Sequence, residues 1–292
     1  MRLIAKRGQF SGPNKQTENT KAQIQLALSK GYDVELDVIL TDNGLFLGHD
    51  GPKERLLYDG FLDGPKIWTH CKSRRTYDHL IKSPFIKAFC HEEEDLAYIN
   101  QMQFKWNHAR LGKNVYQKTD SGWKKVGLYR DNFQLLNVFC DVDGVMAKNK
   151  VYDRDHNCIS KEFNDKDFTA LKRFKALGLN IVLISGDEWN AGMAQKRGLS
   201  FIHTNTIGEN SKLNTLRKLN IDLESSLYIG DDRYDCELLN FVGFPFCPND
   251  AIKEVKNESI VLGRASGEGV LAEMYDWLVQ RGIIENILPT EP

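Results

Sequence analysis

Residues 137–145 read NVFCDVDGV, an apolar run that stops at two carboxylates one residue apart and then at glycine. The run has the length and composition of a buried strand. On an extended strand, residues i and i+2 point to the same side, so Asp141 and Asp143 face one place at its carboxyl end. Two like charges so close repel unless a cation lies between them or one carboxyl takes a proton. Gly144 permits the tight turn that follows. By itself, DVDG serves equally well as a turn or a helix cap.

The text that follows is regular. DFTALKRFKALGL reads as an amphipathic helix closed by glycine, and NIVLISGD as a second apolar strand. AGMAQKRGL, SFIHTN, SKLNTLRKLNI and SSLYIGDD continue as helix, strand, helix and strand. CELLNFVG, FPFCPN, DAIKEVKN, SIVLG and GVLAEMYDWLVQRGII complete the alternation. Apolar strands separated by helices predict a parallel sheet covered on both faces, an α/β fold. Such sheets bind ligands at the carboxyl ends of their strands.

Polar residues gather at those ends. Ser185, Gly186 and Asp187 close the second strand, where a hydroxyl and an exposed backbone N–H can hold phosphate oxygens. Lys212 opens the helix SKLNTLRKL, where an ammonium can neutralise a phosphate. Asp231 and Asp232 end LYIGDD, and Asp235 follows on the next turn. Each has a plain alternative: a helix cap, a solvated charge, a pair of turn residues. Their succession at the ends of one sheet argues for a single site.

This order of DVDGV, LISG, a lysine and GDDxxD resembles the haloacid dehalogenase (HAD) superfamily of phosphotransferases over about residues 136–280. Within it the pattern is most similar to the cap-less 3-deoxy-D-manno-octulosonate 8-phosphate phosphatases. The supporting stretches are CDVDGV (140–145), FNDKD (163–167), ENSKL (209–213), YIGDDRYD (228–235) and RASGEGV (264–270). The resemblance implies a Rossmann-like domain and a Mg²⁺-dependent phosphomonoesterase acting on a small phosphorylated sugar or sugar acid, in a pathway supplying surface polysaccharide. It implies that Asp141 is the nucleophile, forming an aspartyl-phosphate, and that Asp143 is the general acid and base. It implies that Mg²⁺ is held by Asp141, the backbone carbonyl of Asp143, and Asp231. Asp232 is either a further ligand or an anchor behind the ligands, and Asp235 belongs behind them. Ser185, Gly186 and Lys212 are expected to bind the phosphate. The departures bear on substrate: SGEG replaces a simple glycine run, Asp187 and Glu188 stand where basic residues are common, and RYDCELL follows GDD.

VYDRDHNCISKEF (151–163) reads as a β-hairpin turning at Asp155, His156 and Asn157. Its place matches the flap that such relatives use instead of a lid domain. There a neighbouring subunit completes the pocket, so the resemblance implies a homo-oligomer, with a tetramer as the expected form.

Before residue 134 the texture changes, and the division is drawn as 1–133 and 134–292. RLIAKRG, ENTKAQIQLALSKG and DVELDVILTDNG read as strand, helix and strand. After about residue 95 the text turns polar and aromatic, with a turn signal at Asp120-Ser121-Gly122. AKRG, ENT and GYDVELDVILTDNGLFLGHD resemble the opening of the glycerophosphodiester phosphodiesterases, which are TIM barrels. In that family, residues placed like Glu35, Asp37 and His49 hold a divalent ion and move protons. His70, Lys72 and His91 lie further along, and the histidines complete a candidate cluster. Two departures count against activity: Lys6 stands where the family has a histidine, and about 130 residues is far short of the ~250 typical of a barrel. The segment reads as a truncated, partial barrel. It is either a binding or assembly module, or a phosphodiesterase with altered chemistry.

Composition agrees with a globular protein: 41% hydrophobic and 27% charged residues, with 39 Lys+Arg against 40 Asp+Glu in 292 residues. A formal charge of −1 builds no field for nucleic acid or anionic lipid. No run approaches the ~18 apolar residues of a membrane span. The opening MRLIAKRGQFSG holds too short an apolar stretch for a signal peptide, and six scattered cysteines suit a reducing compartment. A cytoplasmic protein is therefore expected, and the resemblance to the HAD phosphatases implies a small-molecule phosphate ester as its substrate.

Overall fold

The computed structural model describes residues 2–57, 60–83, 85–93, 96–99, 102–107, 114–119, 122–130, 135–204 and 208–287, with backbone alone for the strands between 91 and 130. Two compact units emerge, Met1–Gln134 and Leu135–Pro292. The boundary drawn from sequence, at 133/134, falls outside the described residues, as do Asp120 and Ser121 of the expected turn.

The first unit is a mixed sheet. β1 (Arg2–Lys6), α1 (Lys21–Ser29), β2 (Asp33–Thr41), β3 (Gly44–Leu47), β4 (Glu54–Leu56), β5 (Ile67–Cys71), α2 (Arg74–Leu80) and β6 (Ala88–Phe89) come first. Strands β7 (His91–Glu93), β8 (Leu96–Ile99), β9 (Met102–Asn107), β10 (Asn114–Thr119) and β11 (Gly122–Arg130) follow. β1, β2, β5 and β6 run parallel in sequence order. β7 to β11 form an antiparallel meander whose last strand lies parallel to β1. The α/β crossovers expected for the opening are present. The partial-barrel character read from the sequence meets a mixed sheet instead of a run of βα units.

The second unit contains β12 (Asn137–Asp141), a hairpin of β13 (Ala147–Tyr152) and β14 (Cys158–Phe163), α3 (Asp165–Ala176), β15 (Asn180–Ser185), α4 (Trp189–Lys196) and β16 (Ser200–His203). Then come α5 (Lys212–Lys218), β17 (Ser226–Ile229), α6 (Cys236–Leu239), β18 (Phe244–Cys247), α7 (Lys253–Glu258), β19 (Ile260–Val261) and α8 (Val270–Gln280). Six parallel strands lie in the order β16-β15-β12-β17-β18-β19. β12 is buried throughout, as its unbroken apolar run predicts for a sheet covered on both faces. α3 starts at Asn164, whose side chain accepts from the N–H of Lys166, and carries Asp165 and Asp167 in its first turn. Gly178, at φ 80°, ends it. α8 buries Val270, Leu271, Met274, Tyr275 and Leu278, one face at helical spacing.

β12 has β15 on one side and β17 on the other, so the strand order reverses at its edge and a crevice opens at the carboxyl ends. At the opposite ends the three strands are tied by side chains. Asn180 donates to Asn137 Oδ1 at 3.1 Å, and Asn137 donates to Ser226 Oγ at 3.1 Å.

Candidate active site

The crevice is a cavity of about 460 Å³ lined by residues that include Asp141, Asp143, Lys150, Ser185, Asp187, Lys212, Asp231 and Asp235. All seven residues expected at the C-terminal site line it: Asp141, Asp143, Ser185, Gly186, Lys212, Asp231 and Asp232.

Asp141 ends β12, buried. Its Oδ1 accepts from the N–H of Val142 at 2.7 Å and its Oδ2 from Lys212 Nζ at 2.7 Å. Burial pushes the Asp141 carboxyl up, Lys212 pulls it down and Asp235 pushes it up again; the balance is upward. Lys212, on the first turn of α5, also donates to Tyr228 Oη at 3.0 Å and Asp235 Oδ1 at 2.6 Å. Burial alone would lower its pKa, but the two carboxylates outweigh it, and the ammonium stays charged.

Asp235 does more than its expected place behind the ligands. Its Oδ2 accepts from the backbone N–H of Asp231 and Asp232, and its Oδ1 from Lys212 and Tyr228. Each oxygen takes two donors, so its acceptor capacity is filled. It fixes the turn that carries Asp231. Asp232, by contrast, is exposed and accepts from the N–H of Arg233 as the cap of that turn.

Asp231 has a different setting. Its Oδ1 is buried without a hydrogen-bond partner. Its pKa is pushed up to about 8, first by burial and then by Asp141 and Asp235. Oxygens of Asp141, Asp231 and Asp235 lie within 4.8 Å of one another. Three carboxylates face one ammonium, a deficit of two positive charges. A divalent cation fits this set, and Asp141 and Asp231 retain the acceptor capacity to ligate it. Gly144, at φ 81°, makes the approach possible: a Cβ there would lie 2.1 Å from Asp231 Oδ2.

Asp143 belongs to a second network that the sequence did not reveal. Lys161 of the hairpin donates to Asp143 Oδ1 at 2.7 Å, Asp187 Oδ2 at 2.7 Å and Asn190 Oδ1 at 2.9 Å. Asn190 donates in turn to Asp143 Oδ2 and Ser185 Oγ, both at 2.9 Å. Lys150 Nζ is 3.1 Å from Asp143. Burial would raise the pKa of Asp143, but Lys161, Asn190 and Lys150 outweigh it and hold the carboxylate ionised. Asp187 is likewise lowered, its burial offset by Lys161 and the N–H of Trp189.

In the first unit, Glu35, Asp37 and His70 are also brought together, within 4.8 Å. Asp37 Oδ2 accepts from Asn19 at 2.9 Å and lies 3.0 Å from Arg7 Nε; its Oδ1 is 2.8 Å from His70 Nδ1 and 3.9 Å from Lys72 Nζ. Arg7 also pairs with Glu18 at 3.0 Å. Burial would lower the pKa of His70, but its hydrogen bonds to Asp37 and Glu35 carry it up to about 9. Asp37 falls well below the usual carboxylate range, since His70, Asn19 and Arg7 outweigh its burial. Arg7 and Asn19 both hold left-handed backbone, at φ 53° and 52°, which non-glycine residues adopt at a cost of about 1 kcal/mol each. His49 lies apart from this group, against Asp50 at 2.5 Å. The side chain of His91 is outside the described residues.

No family model matches the chain. It is 27% identical over 150 residues to the 3-deoxy-D-manno-octulosonate 8-phosphate phosphatase of Haemophilus influenzae, an alignment covering 49% of this chain and 82% of that protein. The enzyme of the same name from Escherichia coli K12 is 27% identical over 158 residues, covering 51% and 80%. A solved structure, the cobalt-bound form of the Haemophilus influenzae enzyme, is 26% identical over 51% of this chain and 90% of its own, with a TM-score of 0.46. These relatives account for about half of the chain. The likeness of residues 1–133 to glycerophosphodiester phosphodiesterases finds no support among them. Among the described residues no helix is long and apolar enough to cross a membrane. The C-terminal half is a phosphatase domain of the HAD superfamily, similar to the octulosonate phosphatases, and the protein is a phosphoric monoester hydrolase.

Proposed function

We propose that the protein is a Mg²⁺-dependent phosphomonoesterase that releases phosphate from a small phosphorylated sugar or sugar acid through an aspartyl-phosphate on Asp141. The observation that carries this reading is the charge deficit at the switch point. Asp141, Asp231 and Asp235 converge on one cavity with Lys212 as their cation, and Asp231 is pushed up to about 8 by burial and by its carboxylate neighbours.

Asp141 and Asp231 would hold Mg²⁺, which when bound neutralises phosphoryl charge and orients the group for in-line attack. Lys212 keeps Asp141 Oδ2 in place, and the N–H of Val142 fixes Oδ1, so the nucleophile has one orientation. Its carboxylate attacks phosphorus, splitting one hard displacement into two. Asp143, ionised between Lys161 and Lys150, would take up a proton as the ester binds, give it to the leaving alkoxide, and recover one from the water that hydrolyses the adduct. Ser185 Oγ lies 3.4 Å from Asp143 and accepts from the N–H of Asp187, which supports a part for its hydroxyl in holding the phosphate.

The first unit serves as a non-catalytic binding or assembly module in this reading, because its acidic cluster already has its cations. The exposed Val151, Tyr152 and Ile159 of the hairpin support a homo-oligomer, since such apolar side chains gain from cover. The deciding experiment follows phosphate release from a panel of sugar and polyol phosphates, with Mg²⁺ and with chelator. Release from one or more esters, abolished by chelator and by Asp141→Asn, is expected. Metal-independent release, or release surviving Asp141→Asn, would overturn the reading.

A further inference from the structure

The cations around the cavity can be counted by the donors they still have. An ammonium has three. Those of Lys212 go to Asp141, Tyr228 and Asp235. Those of Lys161 go to Asp143, Asp187 and Asn190, and its side chain is 0% exposed. Lys150 differs: it meets Asp143 alone, at 3.1 Å, and its side chain is 30% exposed. Among the described residues lining the cavity, Lys150 is thus the cation with donors to spare. A phosphate monoester carries close to two charges at neutral pH, and these take the metal and Lys150.

With Ser185 and Gly186 given to the phosphate, the lining that remains for the organic part is neutral or acidic: Asp187, Thr204, Asp232 and Tyr234. Asp187 stands two residues after Ser185, the last residue of β15. Lys161 and the N–H of Trp189 hold it there as an anion. The next residue, Glu188, is exposed and adds the same sign. Among the described residues that line this part of the cavity, a carboxylate on the substrate would meet no unspent cation and at least one fixed like charge. Hydroxyls would meet acceptors at Asp187 and Asp232 and a half-exposed ring at Tyr234.

We infer that the ester taken by this site has an uncharged, hydroxylated organic part, a neutral sugar or polyol phosphate, and that Asp187, held by Lys161, is the residue that rejects sugar acids. The inference rests on the phosphatase reading and narrows it. It also separates this chain from the relatives above, whose printed substrate is an octulosonate, a sugar acid.

The test uses full-length protein with Mg²⁺ and esters matched but for one carboxylate. Glucose 6-phosphate and sorbitol 6-phosphate are set against 6-phosphogluconate, with 3-deoxy-D-manno-octulosonate 8-phosphate as a fourth probe. The neutral esters should lead in kcat/KM by about tenfold or more, the effect of one like charge in a partly wet cavity. Asp187→Lys should move the acid-to-neutral ratio toward the acids by at least about tenfold, while Asp187→Glu keeps the wild-type ratio. The ratio is the readout because any disturbance of Lys161 burdens both ester classes. Preference for the sugar acids in wild type overturns the inference and leaves the phosphatase intact. An unchanged ratio in Asp187→Lys overturns the role of Asp187. Release from none of the four, with a broad ester panel also silent, removes the phosphatase reading and the inference together.

Discussion

Two stretches of this chain read acid-x-acid: Glu35-Leu36-Asp37 within β2, and Asp141-Val142-Asp143, which begins at the last residue of β12. Both lead to carboxylate clusters tight enough for a metal ion. Their charge balance separates them. Around Asp37, three carboxylates (Glu18, Glu35, Asp37) meet three cations (Arg7, His70, Lys72). Around Asp231, three carboxylates meet Lys212. The titration follows: His70 goes up to about 9 and Asp37 goes down, each stabilising the other's charge, whereas Asp231 goes up to about 8. Geometry alone would make both clusters metal sites. The count of cations separates them, three for three carboxylates in the first and Lys212 for three in the second, and the directions of the pKa shifts agree with it.

That contrast breaks most sharply at the nucleophile. Asp141→Asn should drop phosphate release to background with no trapped phospho-enzyme, while Asp37→Asn leaves turnover in place. Asp143→Asn should lie between them, losing ~10²–10⁴-fold on alkyl esters as expected for a missing general acid–base. An activated aryl phosphate should still give that variant a burst and a stalled phospho-enzyme. Rapid-quench assays decide this, and equal, complete loss of both steps in Asp143→Asn would refute the division of roles.

The metal comes next. Asp231→Ala should abolish Mg²⁺ binding by calorimetry and Mg²⁺-dependent turnover. Its melting temperature without Mg²⁺ should equal or exceed wild type, because a carboxyl with a raised pKa costs the fold stability. Retained Mg²⁺ binding would move the ligand role to Asp232. In the first unit the effect should be on stability. Asp37→Asn removes one partner from a buried ion network and should cost about 3 kcal/mol, read by denaturant unfolding, with Mg²⁺ stoichiometry unchanged. A lost equivalent of metal in that variant would make the two clusters alike after all.

The smallest effect is one of pH. The folded pKa of His70, about 9, lies above its ordinary 6.5, so its contribution is full below about pH 6.5 and is lost as pH rises through 9. Unfolding of the first unit should therefore become easier between pH 7 and pH 10, and His70→Gln should flatten that slope. An equal slope in the variant would assign the effect elsewhere.

The C-terminal site was legible where a polar residue interrupts an apolar run. Asp141, Ser185 and Asp231 each end a buried strand or follow one directly, and the strand ends of a parallel sheet converge whatever the loops do. The second network was not legible, for a physical reason. Lys161 sits in CISKEF, whose polar text reads as a solvated hairpin. Its burial comes from Asp143, Asp187 and Asn190, which are 18, 26 and 29 positions away. Asn190 lies in a helix with little amphipathic contrast, and Tyr228 reads as core because a phenol in an apolar strand looks like any aromatic. Arg7 was passed over because it falls within RLIAKRG, which reads as a strand; its side chain acquires meaning from Glu18 and Asp37. In the first unit the crossovers were foreseen, but the meander after residue 91 was not resolved into strands.

The side-chain ties at the far ends of β15, β12 and β17 carry one more consequence. A strand buried on both faces lacks the alternation of apolar and polar residues that marks register in a half-exposed one. A slip of β12 by a single position would turn Asp141 to the opposite face and bring Val142 to the metal. Apolar packing alone discriminates poorly against that misalignment. Asn137 does, because displaced by one residue its amide would forfeit both Ser226 and Asn180 inside the protein. The four steps from Asn137 to Asp141 span roughly 13 Å. The accuracy of Asp141's placement is thus set partly at the far end of its strand, as a rule clamped at one end fixes the mark read at the other.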